Sequence, residues 1–458
     1  MLISACSSSG TEQQDGTAPA EEPPAEESSE TVAAVTPGTA TTFPPAPPTP
    51  PGPLSDADIV VLDTLTSSLG GGLDEAVALL AQSEDPRVLW VVADLLRFVQ
   101  GSSTGAVLTE IAQDISGATF NPARPWGDLT DHLIAWDIEE PTDYVRYKAT
   151  IFTTVDDRWE FVFADPTADI DYRILSWGGV FIDDRPLGDT QLCARGCIPS
   201  LDDPAFTTAD RGDWYPDSAI VFGVEIGDDI AAFPKNIMEI HEMVNATIGG
   251  RRIAMPYCTL CGSAQVFFTD AVDNVDRPPV LRTSGLLSRS NKVMYDLDSA
   301  SVFDTFTGEA ISGPLRELGV VLPQATVVTT TWADWRETHP DTLIVAEDGG
   351  IGRSYNLDPL RGRDDDGPIF PIGNTDPRLE VQTPVVGVIT PVGTPVAFPA
   401  DAARSTLRNG EAVEAFGVRL MLDGDGLKAT FNGEGIASHQ AFWFAWSQFH
   451  PATELWLP

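Results

Sequence analysis

Two stretches of this chain repeat one another, and the repetition restricts the fold more than any other feature. Trp332-x-x-Trp335-x-x-x-His339-Pro340-x-Thr342 returns as Trp443-x-x-Trp446-x-x-x-His450-Pro451-x-Thr453, and a short apolar run follows each, Leu343-Ile-Val and Leu455-Trp-Leu. Gly223-Val-Glu-Ile through Ala232-Phe-Pro234 likewise returns, one residue longer, as Gly387-Val-Ile-Thr through Ala397-Phe-Pro399. The same ordered signals met twice build the same supersecondary unit twice. The spacing therefore predicts a strand-rich α+β domain over residues 191–458, formed by imperfect internal duplication, with halves near 198–345 and 380–458. In each copy the tryptophans and histidine fall on one helix face, and proline ends the helix. Features shared by both copies read as architecture, which makes His339 and His450 structural. Features present once are the better candidates for a site.

The most specific single-copy feature is Arg252-Ile-Ala-Met-Pro-Tyr-Cys-Thr-Leu-Cys-Gly-Ser-Ala-Gln-Val-Phe-Phe268, with Cys258 and Cys261 between two strand-like runs. Cysteines spaced this way serve a metal, a disulfide or a redox exchange. In thioredoxin-type chemistry a helix N-terminus follows the first thiol and lowers its pKa; here a strand follows. A tight turn with Gly262 behind the second cysteine instead resembles a metal knuckle. A knuckle supplies two ligands, and a closed site needs more. Phe233-Pro234 opens a helix that sets Ile237, Ile240, His241 and Val244 on one inward face, which makes His241 the first additional ligand candidate and Met294 the second. Two thiolates, an imidazole and a thioether suit copper, whereas zinc would more often recruit Cys193 and Cys197. Cys193-Ala-Arg-Gly-Cys197 reads more simply as a local disulfide of an oxidising compartment. For Cys258 and Cys261 the metal, the structural disulfide and the redox-active pair all stay open.

Other constellations carry less. His241-Glu242-Met-Val-Asn245 lacks the second histidine of a zinc-protease helix. Nothing matches a phosphate-cradling glycine loop or a nucleophile elbow. Arg361-Gly-Arg-Asp-Asp-Asp366 fits no calcium loop and reads as a solvated turn. Ser284-Gly-Leu-Leu287 and Arg289-Ser-Asn-Lys292, absent from the second half, are expected to line the same pocket as the cysteines. The second half keeps the strand pattern in Val418 to Phe431 and has no thiol there.

A formal net charge of -41 repels phosphate backbones and anionic membrane surfaces, so nucleic acid is excluded as a partner. Leu2-Ile-Ser-Ala-Cys6 has the form of a bacterial lipobox, although the basic and apolar parts of a signal peptide do not precede it, which points to a start placed too late. On that reading Cys6 is lipidated and the chain is extracytoplasmic, anchored to the cell membrane through its N-terminus alone. Residues 7–54, rich in Pro, Thr, Ala, Ser and Glu, read as a disordered tether. A small helical domain is expected over 55–120. Asp56 is its first cap, and apolar positions recur at helical spacing through Leu69, from Leu73 to Leu80, and from Pro86 to Phe98. Residues 121–190 read as a strand-bearing connector, with Trp159-Glu-Phe-Val-Phe163 and Ile174 to Ile182 as the strands.

Asp203-Pro-Ala-Phe, Val221-Phe-Gly-Val-Glu-Ile, His241-Glu-Met-Val-Asn245, Pro256-Tyr-Cys-Thr-Leu-Cys-Gly262, Val293-Met-Tyr-Asp296, Thr307-Gly-Glu-Ala-Ile-Ser-Gly-Pro-Leu315 and Trp332 to Thr342 occur in order. Together they resemble the prokaryotic domain-of-unknown-function family 3179, over roughly residues 198–458. That resemblance implies relatives and no activity. The leading expectation is a copper- or zinc-binding accessory protein using Cys258, Cys261 and His241, with Met294 as an outer candidate. The competing expectations are an envelope thiol or electron-transfer oxidoreductase and a non-catalytic surface module stapled by a disulfide. The expected partner is a small ligand or an envelope protein.

Overall fold

The computed structural model describes residues 32–458 apart from positions 70, 72, 274 and 364–366. Cys6 and the three aspartates 364–366 of the Arg361–Asp366 run therefore lie outside the described residues. No helix among those described is long and apolar enough to cross a membrane.

Helices come first: α1 (Asp56–Ser67), α2 (Leu73–Leu80), α3 (Leu89–Val99), α4 (Ser103–Ser116), α5 (Pro125–Trp136), α6 (Tyr144–Val155) and α7 (Glu160–Ala164). Ser55, one residue ahead of the expected cap, opens α1 by accepting a hydrogen bond from the Asp58 amide at 3.1 Å. Gly117 closes α4 in the left-handed region at φ +68°. Every residue of α3 from Leu89 to Leu96 is buried, as befits the central helix of a bundle. Its one buried carboxylate, Asp94, is held by Lys148 and by the Tyr144 hydroxyl at 2.9 Å.

Two expectations change here. The connector over 121–190 is mostly helical, and its one strand is β1 (Leu175–Trp177). Trp159 and Val162 are buried, Phe161 and Phe163 pack on the same core, and of the run Trp159–Phe163 only Glu160 is exposed. A five-residue apolar alternation cannot separate a strand from a buried helix. Residues 32–54, expected to end a free tether, are extended but docked. The Trp136 indole donates to the Pro44 carbonyl at 2.7 Å, Arg87 donates to the Gly52 carbonyl at 2.6 Å, and Leu54 is buried.

The strand-rich part begins with β2 (Leu201–Asp202), β3 (Phe206–Thr208), β4 (Ile220–Ile226), β5 (Asp229–Pro234), α8 (Lys235–His241), β6 (Met243–Ile248) and β7 (Arg251–Cys258). It continues through β8 (Ser263–Ala264), β9 (Val266–Phe268), β10 (Leu281–Ser288), β11 (Asn291–Asp296), β12 (Val302–Asp304), β13 (Ala310–Ser312), α9 (Pro314–Glu317), β14 (Gln324–Ala325), β15 (Val328–Thr331), α10 (Trp332–Thr338) and β16 (Leu343–Val345). The second half holds β17 (Pro384–Ile389), β18 (Pro395–Pro399), α11 (Ala400–Arg408), β19 (Glu414–Ala415), β20 (Val418–Asp423), β21 (Gly426–Phe431), β22 (Glu434–Ile436), β23 (Ser438–Phe442), α12 (Trp443–Phe449) and β24 (Glu454–Leu455).

The duplication is visible at the level of single hydrogen bonds. One sheet runs β15-β4-β5-β16-β3 and the other β23-β17-β18-β24. In both, an antiparallel hairpin is flanked by the strand entering the tryptophan helix and, in parallel, by the strand leaving it. The Trp335 indole donates to Thr342 Oγ1 at 2.9 Å, and the Trp446 indole donates to Thr453 Oγ1 at 2.9 Å. The His339 and His450 rings lie 4.1 and 4.3 Å from those indoles. A glycine lies beneath each indole: a Cβ on Gly223 would come within 2.4 Å of Trp335, and one on Gly387 within 2.1 Å of Trp446.

A third sheet, β1-β10-β11-β12-β13, joins the strand-rich part to the helices. Leu286, Leu287, Val293, Tyr295 and Val302 enter the helical core, and the Trp159 indole donates to the Ser284 carbonyl at 2.8 Å. Gly387→Ala is expected to cost about 1–3 kcal/mol, because an added methyl meets a fixed indole. Gly435→Ala, whose Cβ meets nothing within 4 Å, should leave the urea midpoint unchanged. Equal midpoints for the two variants would refute the clamp.

Candidate functional site

The cysteine turn is built by chain reversal. Glu242 ends α8 in the left-handed region at φ +50° and sends the chain into β6. β6 pairs with β7, which runs on to Cys258. Thr259–Cys261 form a single 3-10 turn, Gly262 reverses the chain at φ +58°, and Ser263 pairs back onto Cys258. Gly262 is needed for its positive φ and for the Phe442 ring, which a Cβ would meet at 3.0 Å. This reversal brings the two sulfurs to 2.7 Å, longer than the roughly 2.05 Å of a disulfide. Both are free thiols.

Their surroundings differ. Cys258 is 3 % exposed and borders a cavity of about 70 Å³, while Cys261 is fully buried and does not line it. Glu242, Lys292, Leu286, Leu287 and Phe370 share that cavity wall. Lys292 Nζ lies 2.9 Å from Glu242 Oε2 and donates to the Glu242 carbonyl at 2.6 Å. Thr259 Oγ1 donates to Glu242 Oε1 at 3.1 Å. Cys261 rests 3.4 Å from the Ser290 carbonyl and 3.5 Å from Asn291 Oδ1.

Electrostatics separate the two thiols further. At Cys258 burial pushes the pKa up, but the Cys261 hydrogen bond and the Lys292 ammonium outweigh burial and the Glu242 carboxylate, so the thiol titrates below its ordinary range. At Cys261 burial, then the hydrogen bond with and the charge on Cys258, push the pKa well up. One sulfur is set to be the thiolate that faces the cavity. The other keeps its proton behind it.

The additional metal ligands expected from the sequence are not assembled here. His241 is buried with both ring nitrogens engaged, Nδ1 with the Pro199 carbonyl at 2.6 Å and Nε2 with the Tyr355 hydroxyl at 2.8 Å. Burial lowers its pKa to about 4. Met294 packs among Met243, Ala254, Phe267, Leu281 and Phe303 in a separate apolar cluster. Cys193 and Cys197 lie at disulfide distance from each other. Among the described residues the clusters of three or more potential ligands are Asp183 with Cys193 and Cys197, and Glu225 with His339 and Asp423. The second already holds a cation, Lys428 Nζ, 3.0 Å from Asp423 and 3.3 Å from Glu225.

The structure does bring both single-copy segments to the thiols. Gly285, Leu286 and Leu287 line the cavity, and Ser290, Asn291 and Lys292 surround the sulfurs. The residue that sequence reasoning missed is Glu242. Its signal was a lone acid directly ahead of an apolar strand, paired with one of only four lysines in the chain.

A family model described as "Protein of unknown function (DUF3179)" matches residues 195–427. No curated protein and no solved structure matches the chain.

Lys292→Met removes the cation that favours the Cys258 thiolate, so Cys258 should titrate higher and its alkylation by iodoacetamide at neutral pH should slow about threefold to tenfold. Glu242→Gln should act in the opposite direction. Peptide mapping after timed alkylation reads both, and a Lys292→Met protein alkylated at the unmodified rate would contradict the electrostatic assignment.

Proposed function

The chain belongs to the DUF3179 family of proteins of unknown function, and from that premise we propose that Cys258 and Cys261 form a dithiol that works by thiol–disulfide exchange. The observation that carries this reading is the asymmetry of the pair. Two free thiols lie 2.7 Å apart, one bordering a cavity with a depressed pKa and the other enclosed with a raised one. Exchange needs an attacking thiolate and a second thiol within reach of the mixed disulfide it forms.

The steps follow from those positions. The Cys258 thiolate attacks one sulfur of a partner disulfide, forms a mixed disulfide and releases the first partner thiolate. Cys261 then loses its proton and attacks Cys258 Sγ. The second partner sulfur leaves as a thiolate and takes up a proton. The dithiol is oxidised by two electrons, the partner disulfide is reduced by two, and the reverse sequence regenerates the thiols. Lys292, which pairs with Glu242, stabilises the first thiolate, and the proton that Cys261 gives up balances the one that the departing partner sulfur takes up.

A soft-metal role is less well supported. A closed site needs donors beyond two sulfurs, and His241 and Met294 are committed elsewhere. The reading includes an extracytoplasmic, lipid-anchored location, supported by the Leu2-Ile-Ser-Ala-Cys6 motif and by the Cys193–Cys197 pair, which suits an oxidising compartment.

The purified protein is expected to exchange with hydroxyethyl disulfide, to lose that activity in Cys258→Ser, and to accumulate a mixed disulfide on Cys258 in Cys261→Ser. Exchange that persists in Cys258→Ser, or one equivalent of copper or zinc retained by the native protein and lost in the double variant, would overturn the proposal.

A further inference from the structure

Cys258 of the inner dithiol borders a cavity of about 70 Å³, too small for a disulfide loop of a folded partner unless the segments that wall it move. With those walls in place, exchange with a protein disulfide needs an intermediary. The chain carries a second cysteine pair whose flanking segments form part of the same cavity wall. After β1, Gly178 and Val180 line the cavity. Phe181 then forms a bridge with Cys197, its amide donating to the Gly196 carbonyl at 3.1 Å. The chain leaves through an exposed loop, closes the Cys193–Cys197 pair, and returns through Ile198, which lines the cavity again. Thr283 Oγ1, from another lining residue, donates to the Ile198 carbonyl at 2.9 Å.

Cys193 and Cys197 are half-buried, and Ala194, Arg195 and Gly196 between them are exposed. The pair is thus open to solvent on one side; on the other, Cys193 Sγ lies 3.9 Å from Asp183 Oδ1, and Cys197 is followed in the chain by Ile198, which lines the cavity of Cys258. Gly196, at φ +82°, gives this short loop a backbone position free of a Cβ. Outside contacts hold the loop: Arg195 donates to the Val155 carbonyl at 3.0 Å and pairs with Asp156 at 3.1 Å, Arg185 donates to the Gln191 carbonyl at 3.1 Å, and Cys197 bridges to Phe181.

Building on the exchange reading above, we infer that Cys193–Cys197 is a shuttle disulfide that carries electrons between the buried dithiol Cys258–Cys261 and protein partners outside. The loop folds inward over Ile198. The Cys258 thiolate attacks Cys197 Sγ, the Cys193–Cys197 bond breaks, and Cys193 leaves as a thiolate that takes up a proton. Cys261 gives up its proton and attacks Cys258 Sγ, and Cys197 leaves and is protonated. The inner pair ends as a disulfide and the outer pair as two thiols, with two electrons moved outward. The outer thiols then reduce a partner protein's disulfide by the same exchange.

Two experiments on the full chain test this. In Cys261→Ser, prepared with the outer disulfide intact, Cys258 cannot be resolved. Non-reducing digestion and mass spectrometry should find a Cys258–Cys197 linked peptide and a free Cys193. An intact Cys193–Cys197 peptide beside unlinked Cys258 would overturn the shuttle. In Cys193→Ser/Cys197→Ser the inner pair should still be oxidised by diamide, a small reagent, while reduction of insulin falls about tenfold or more. Insulin reduced at the native rate by that variant would also overturn the shuttle and leave the inner dithiol standing. An inner pair that diamide fails to oxidise reversibly in the native protein would instead refute the exchange reading itself.

Discussion

Each half of the strand-rich domain is closed by one indole lying on a glycine and donating to a threonine just past its own helix. Trp335 over Gly223 with Thr342, and Trp446 over Gly387 with Thr453, fix how the helix crosses the hairpin and where the parallel strand returns. The indole nitrogen is satisfied inside the core, so the ring is buried without an orphaned donor. Truncating such a ring costs about 3–5 kcal/mol, and here it would also remove the N–H donor to a threonine oxygen. With the crossing fixed in this way, the other elements of each half were free to diverge.

The site arose in that freedom. The hairpin β6–β7 and the hairpin β20–β21 both turn at a left-handed glycine, Gly249 and Gly424. β21 stops at Phe431, whereas β7 runs on to Cys258 and turns back through Gly262. The copy without thiols then serves the copy that has them. Phe442 presses on Gly262, and Trp443, Phe444 and Trp446 share an apolar cluster with both cysteines. The helical region closes the other side through Phe370, Leu286 and Leu287, which belong to its core and to the cavity wall. A dithiol so enclosed is shielded from bulk solvent, and small differences in burial and charge are enough to separate the two thiols.

Most of the framework was legible in the sequence because its signals are local and repeated. The duplicated motif predicts the paired sheets, and the glycine after the second cysteine predicts the tight turn. The ligand set was not legible. His241 does point inward, as the helix face implies, but the Pro199 carbonyl and Tyr355 occupy it, and both partners are remote in sequence. Met294 shares a face with Lys292 only by strand parity and packs away from the sulfurs. Glu242 escaped notice because its one local mark, an acid directly ahead of an apolar strand, gains meaning only from Lys292 on β11, fifty residues away. The helices from 125 to 164 were missed because their aromatic and β-branched residues read as strand formers, and a run as short as Glu160–Ala164 is too brief to show a helical period.

The central claim, a reversible dithiol at Cys258 and Cys261, is tested most directly by intact mass and peptide mapping of the native protein equilibrated across a series of dithiothreitol buffers of graded redox poise. The account predicts a single two-electron transition at this pair, with loss of two hydrogens on oxidation, their return on reduction and no retained metal. A pair that stays reduced throughout, a disulfide that cannot be reduced without unfolding, or a mass carrying bound copper or zinc would contradict it.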